Sequence, residues 1–115
     1  MDDHLRNHGF LWKGSSGWSL SPAYDLNPVP ADLKARALTT NIDLDESTCS
    51  IDLLLSAADY FALSLAKARE IIKEVALATS TWRAVAKEAG AAPAESHRMA
   101  SAFDHDALKQ ALALP

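Results

Sequence analysis

Between residues 65 and 89, Leu65, Ala68, Ile72, Val75, Thr79, Trp82, Ala86 and Ala89 recur at alternating steps of three and four. That period lines them along one stripe of an α-helix. It predicts a long helix capped by Ser64 and ended by Gly90 and Pro93, with its stripe packed internally. Ser50 can cap an earlier helix whose apolar members are Ile51, Leu54, Leu55, Ala58 and Phe61, with Asp52 near the positive end of its dipole. Two further helices are expected over about 94–103 and 106–112, turning Met99, Phe103 and Leu108 inward.

No such period runs through residues 1–49, which carry Gly9, Gly14, Gly17, Pro22, Pro28 and Pro30. Phe10-Leu11-Trp12-Lys13 and Trp18-Ser19-Leu20 flank Gly14-Ser15-Ser16-Gly17, aromatic segments on either side of a short Gly/Ser loop. This reads as a β-hairpin. Three prolines within residues 22–30 then exclude helix and keep the chain extended or turning. The expected fold is mainly α, of the α+β kind. Residues 1–49 form loops and a small hairpin, and residues 50–115 a helical bundle, within one domain spanning 1–115.

With 115 residues, 49% of them hydrophobic, the chain can bury a core of its own. A formal charge of −4 argues against direct nucleic-acid binding or adhesion to anionic lipid, which reward lysine and arginine. Trp12, Trp18 and Trp82 are accordingly read as packing residues, not a base-stacking surface. Cys49 is the single cysteine, so no intrachain disulfide forms. With no signal-like segment and no long apolar run, the expected compartment is the cytoplasm.

The chemistry-bearing residues crowd the start. Asp2 and Asn7 are separated by four residues, the D-x-x-x-x-N spacing of a protein-kinase catalytic loop. There the aspartate accepts the substrate hydroxyl proton and the asparagine ligates Mg²⁺. After the hairpin comes Asp25, a loop carboxylate where kinases place a second metal ligand. A hairpin between the two loops could fold Asn7 and Asp25 toward one point and supply the hard oxygens that Mg²⁺ takes. Plainer roles stand beside these. Asp2 and Asp3 could be an exposed acidic terminus, Asp25 could cap the turn before Asn27-Pro28, and His4 with His8 could be half of a zinc site.

Asp2-Asp3-His4-Leu5-Arg6-Asn7-His8, followed by Leu20-Ser21-Pro22-Ala23-Tyr24-Asp25-Leu26, resembles the HipA-like serine/threonine kinases. Their pattern is approximately T-D-x-H-x-[KR]-N and then L-x-P-x-Y-D. Ala58-Asp59-Tyr60-Phe61, Leu63-Ser64, Ala68-Arg69, Trp82-Arg83, Met99 and Phe103 look like the helical C-terminal part of the same family, so the resemblance spans essentially the whole chain. It implies Asp2 as catalytic base, Asn7 and Asp25 as Mg²⁺ ligands, and His4 and Arg6 as loop-organising or phosphate-near groups. ATP and Mg²⁺ are the cofactors it implies.

In that family a long preceding region carries the phosphate-covering loop, a lysine that pairs with ATP and most of the nucleotide pocket. Met1 stands where the family has threonine. The expectation is therefore a C-terminal piece of a kinase, without turnover alone because phosphoryl transfer depends on positioning the nucleotide. Its hairpin side, with Phe10, Leu11 and Trp18, is expected to be exposed and to engage a separately encoded N-terminal fragment, an antitoxin or a second copy. Two functions follow: part of a toxin–antitoxin kinase phosphorylating protein hydroxyls, or a non-catalytic helical interaction module or remnant.

Overall fold

A computed structural model describes residues 4–33 and 36–115. Strands β1 (Phe10–Trp12) and β2 (Trp18–Leu20) pair antiparallel, with Phe10 opposite Leu20, Leu11 opposite Ser19 and Trp12 opposite Trp18. Gly14 and Gly17 turn the chain between them at φ of 66° and 79°, a left-handed region that side chains disfavour. The Lys13 amide closes the loop on the Gly17 carbonyl at 2.7 Å. The indole rings of Trp12 and Trp18 lie 5.3 Å apart at 57°, a tilted pair that braces the ribbon.

Helices α1 (Ile51–Ser56), α2 (Leu65–Ser80), α3 (Trp82–Glu88), α4 (Pro93–Phe103) and α5 (Asp106–Leu112) follow, making a mainly α fold with a small hairpin. The Ser50 hydroxyl accepts the Leu53 amide at 3.3 Å and the Ser64 hydroxyl accepts the Lys67 amide at 3.2 Å, so both serines cap as their positions foretold. At α4, proline takes the first helical position and Glu95 reaches back to the Ala92 amide at 2.7 Å. Among the described residues no helix is long and apolar enough to cross a membrane.

Two elements depart from the sequence pattern. The first helix stops at Ser56, and Ala58–Phe61 is a separate 3₁₀ turn closed by Ala62 at φ 54°. Phe61 is therefore 65% exposed instead of lying on a buried face. The 65–89 stripe is also two helices, divided at Thr81. Thr79, Ser80 and Thr81 each donate their hydroxyl to a carbonyl of the preceding turn, those of Val75, Leu77 and Ala78. Such bonds compete with the helical ladder and favour its end. The buried line of α2 runs Ala68, Ile72, Ala76 in steps of four, which leaves Val75 60% exposed.

Ile72 and Ala76 of α2 meet Ala111 of α5, with Ile51, Leu55, Leu108, Leu112 and Leu114 packed around them. Alanine at two of these contact points, Ala76 and Ala111, lets the helices approach closely. A second cluster joins α3 to α4. The Trp82 ring stacks on Phe103 with centroids 4.6 Å apart, and its Nε1 donates to Asp104 at 2.9 Å. That bond, with Arg83 beside it, holds the Asp104 carboxyl below the usual aspartate range. The loop leaving Asp25 is pinned to α4: Pro30 is buried, Ala31 N donates to the Ser101 hydroxyl at 3.1 Å, and Arg98 grips Asp32 with two N–H groups at 3.0 and 3.1 Å.

Candidate functional site

The site grows out of the hairpin register. Beyond Phe10–Leu20 the ladder gains one more bond, from the Ser21 amide to the Gly9 carbonyl at 2.8 Å. Gly9 leaves this approach uncrowded. A Cβ there would stand 3.2 Å from the Ser21 hydroxyl and 3.5 Å from both Cε1 and the hydroxyl oxygen of Tyr24. Continued in the same register, Arg6 faces Tyr24, and the Tyr24 hydroxyl donates to the Arg6 carbonyl at 2.6 Å.

At this point the first strand gives way to a 3₁₀ turn over Leu5–Asn7, closed by the Asn7 amide on the His4 carbonyl at 2.8 Å. The turn swings the Asn7 side chain toward the opposite loop, where its Nδ2 donates to Asp25 Oδ2 at 3.0 Å. Asn27 donates from the other side, Nδ2 to Asp25 Oδ1 at 2.7 Å. Each carboxylate oxygen thus receives one amide N–H. Asp25 holds a left-handed backbone at φ 58°, a conformation that aspartate tolerates better than most side chains but still at some strain.

Asn7 and Asp25, eighteen residues apart in sequence, are therefore in direct contact. The Asn7 Oδ1 atom is buried and, among the described residues, has no hydrogen-bond partner. An amide oxygen not consumed by the protein, adjacent to an oriented carboxylate, is a hard-oxygen donor set. Mg²⁺ is usually held by one or two carboxylates together with waters and substrate phosphates, so these two residues fit it.

The remaining predicted residues fall around this pair, with one exception. Asp2 lies outside the described residues. His4 is half-buried at the start of the 3₁₀ turn, and its Nδ1 atom is a second buried polar atom with no hydrogen-bond partner. His4, Leu5 and Arg6 line a cleft of about 420 Å³ whose far wall is Thr39 and Thr40. His8 directs its Nδ1 to the His4 carbonyl at 3.3 Å, and among the described residues no three His, Cys, Asp or Glu side chains gather to hold a metal.

Sequence reading missed Tyr24 and Asn27 as parts of the site. The signal for Asn27 was present: a polar side chain two residues from an aspartate commonly bonds back within the turn. Tyr24 stood in the L-x-P-x-Y-D pattern without a role, because its contact depends on the hairpin register.

Residues 1–83 match the family model described as the HipA-like C-terminal domain. The matched span takes in the hairpin, both loops of the Asn7–Asp25 pair, α1, α2 and the start of α3. Comparison with curated proteins and with solved structures found no match.

Proposed function

Because the chain belongs to the HipA-like C-terminal domain family, we propose that it supplies the catalytic loop and cation-holding residues of an ATP-dependent protein serine/threonine kinase of the toxin–antitoxin kind. Asn7 and Asp25 would hold Mg²⁺, and Asp2, by the family pattern, would take the proton of the acceptor hydroxyl. His4 and Arg6 would organise the loop beside the phosphates. Bound Mg²⁺ supplies neutralisation of phosphate charge in phosphoryl transfer. The residues of this chain orient the oxygens that receive it. Asn7 brings an uncommitted amide oxygen from the 3₁₀ turn, and Asn27 steadies the Asp25 carboxylate from behind.

The observation that carries this reading is the contact between Asn7 and Asp25 across the hairpin. Calorimetric titration with Mg²⁺ tests it. One binding event is expected in the wild-type chain, abolished by Asp25→Ala and by Asn7→Ala. A wild-type chain that takes up no Mg²⁺, or variants that bind it equally well, would contradict the proposal.

The exposed face of the hairpin favours a second reading. Phe10, Trp12, Trp18 and Leu20 are each more than 60% exposed, an apolar patch suited to contact. A separately supplied kinase region, an antitoxin or a second copy would cover it, either completing the kinase or serving a non-catalytic interaction module. Light scattering separates self-association from the others: a concentration-independent monomer rules out the second copy.

A further inference from the structure

Two neighbouring residues of one loop meet two neighbouring residues of the other: Tyr24 reaches the Arg6 carbonyl at 2.6 Å and Asp25 meets Asn7 at 3.0 Å. The two contacts differ in kind. Asp25 and Asn7 join side chain to side chain, both on groups that a cation would claim. Tyr24 instead holds the backbone of the 3₁₀ turn, one residue before Asn7, through a group no ligand needs. We propose that Tyr24 is a positioning residue, a strut that sets where Asn7 stands relative to Asp25 and so tunes cation affinity without touching the cation.

Three features support the strut. The Tyr24 ring packs over Gly9, within 3.5 Å of where a Cβ would be, so the ring is fixed against the ladder before its hydroxyl reaches across. The bond it makes is short, and its acceptor is the carbonyl of a turn only three residues long. Finally, Asp25 is already held independently, by Asn27 on its Oδ1 and by its own left-handed backbone. Asn7 is held in its turn by its backbone amide on the His4 carbonyl, and Tyr24 ties that turn to the Asp25 loop. Removal of the Tyr24 hydroxyl should therefore loosen Asn7 and leave Asp25 in place.

The inference rests on Asn7 and Asp25 being the cation ligands, and the test separates the two ideas. In ¹⁵N-labelled chain, the side-chain NH₂ signals of Asn7 and Asn27 are followed with and without Mg²⁺, in wild type, Tyr24→Phe and, as a control, Tyr60→Phe. The Phe variant keeps the ring. It is expected to move the Asn7 NH₂ signal toward that of a free amide while leaving Asn27 unchanged, and to raise the Mg²⁺ concentration for half-saturation about five-fold, the scale of one hydrogen bond. Tyr60, exposed in the 58–61 turn, should change neither. Absence of Mg²⁺ binding in the wild type would overturn the ligand assignment, and the Asn7 signal without Mg²⁺ would still decide on the strut. An Asn7 signal unmoved by Tyr24→Phe, or an Asn27 signal moved equally, overturns the proposal.

Discussion

The half of the molecule that carries the site and the half that carries the core are held together by different forces. The buried hydrophobic residues Ala57, Ala58, Ala68, Ile72, Ala76, Trp82 and Ala111 all lie beyond residue 56. Before that point, among the described residues, Pro30 alone is buried. The helical half is thus stabilised by removing apolar surface from water, a non-directional force that tolerates small shifts. The described residues among 4–49 rely on directional contacts: the hairpin ladder, the Tyr24 bond, the amides around Asp25, and the 43–48 turn. In that turn Asp43 accepts two backbone amides, while Glu46 accepts two amides and the Thr48 hydroxyl. Such bonds contribute only about 1 kcal/mol each, net of the water they displace, but they fix geometry. The site half gains precision from this and little stability. What stability it has is borrowed where Pro30, Ala31 and Asp32 dock on α4.

The largest blow to that division falls on the core. Trp82→Ala removes the stack on Phe103 and leaves Asp104 with Arg83 as its remaining side-chain partner, and should cost about 3–5 kcal/mol in chemical denaturation followed by far-ultraviolet circular dichroism. Gly9→Ala comes next. Its Cβ would press on the Ser21 hydroxyl at 3.2 Å, which must give by a few tenths of an ångström, and should cost up to about 1 kcal/mol. Hydrogen exchange should rise over residues 9–25 while α2 and α5 keep their protection. If α2 and α5 open equally, the two halves are one cooperative unit and the contrast fails. Asp32→Ala sharpens the picture further. The exposed Asp32–Arg98 pair adds little to global stability, so the denaturation midpoint should hardly move, whereas amide exchange near Ala31 should speed up several-fold.

Acid separates the halves more gently. The His105 ring caps α5 by accepting the Leu108 amide at 3.2 Å, which needs an unprotonated Nδ1. Partial burial, then the Arg36 charge, push its pKa below the ordinary 6.5, against the opposing pull of Asp104 and Asp106. The folded chain therefore binds this proton less readily than the unfolded one. The contribution is full above pH 6.5, weakens as the pH falls below it, and is exhausted beneath the depressed folded value. The carboxyls behave differently. Amide bonds lower Asp43, the Thr48 bonds lower Glu46, and Arg98 lowers Asp32. Their contributions are fully present above about pH 4.5 and go only as the pH falls through the lowered folded values. Between pH 6.5 and 4.5 the fluorescence of a chain melted at successive pH values should report a weakening of α5, removed by His105→Asn, which also caps.

Much of this could be read in the sequence where a local rule sufficed. Ser50 and Ser64 announced their caps, the aromatic segments around Gly14–Gly17 announced the hairpin, and a hairpin between the two loops was reason to expect Asn7 near Asp25. What escaped depended on competition or on register. Three consecutive hydroxyl residues, Thr79 to Thr81, break a stripe that periodicity alone carries through to Ala89. The buried line passes through Ala76 instead of Val75, because packing on α5 selects one row of a helix over its neighbour. Phe61 keeps its place in the apolar count but loses its helix to a left-handed Ala62. Tyr24 joins the site only because the ladder places it opposite Arg6.

The pairing of Asn7 with Asp25 as one oxygen site is tested most directly by adding trace Mn²⁺ to ¹⁵N-labelled chain and observing which signals broaden. Signals from residues 5–8 and 24–27 should fade together at the lowest Mn²⁺ concentration and recover in Asn7→Ala. Broadening that begins instead at Asp43, Asp45 and Glu46, or that ignores the Asn7 substitution, would contradict the assignment.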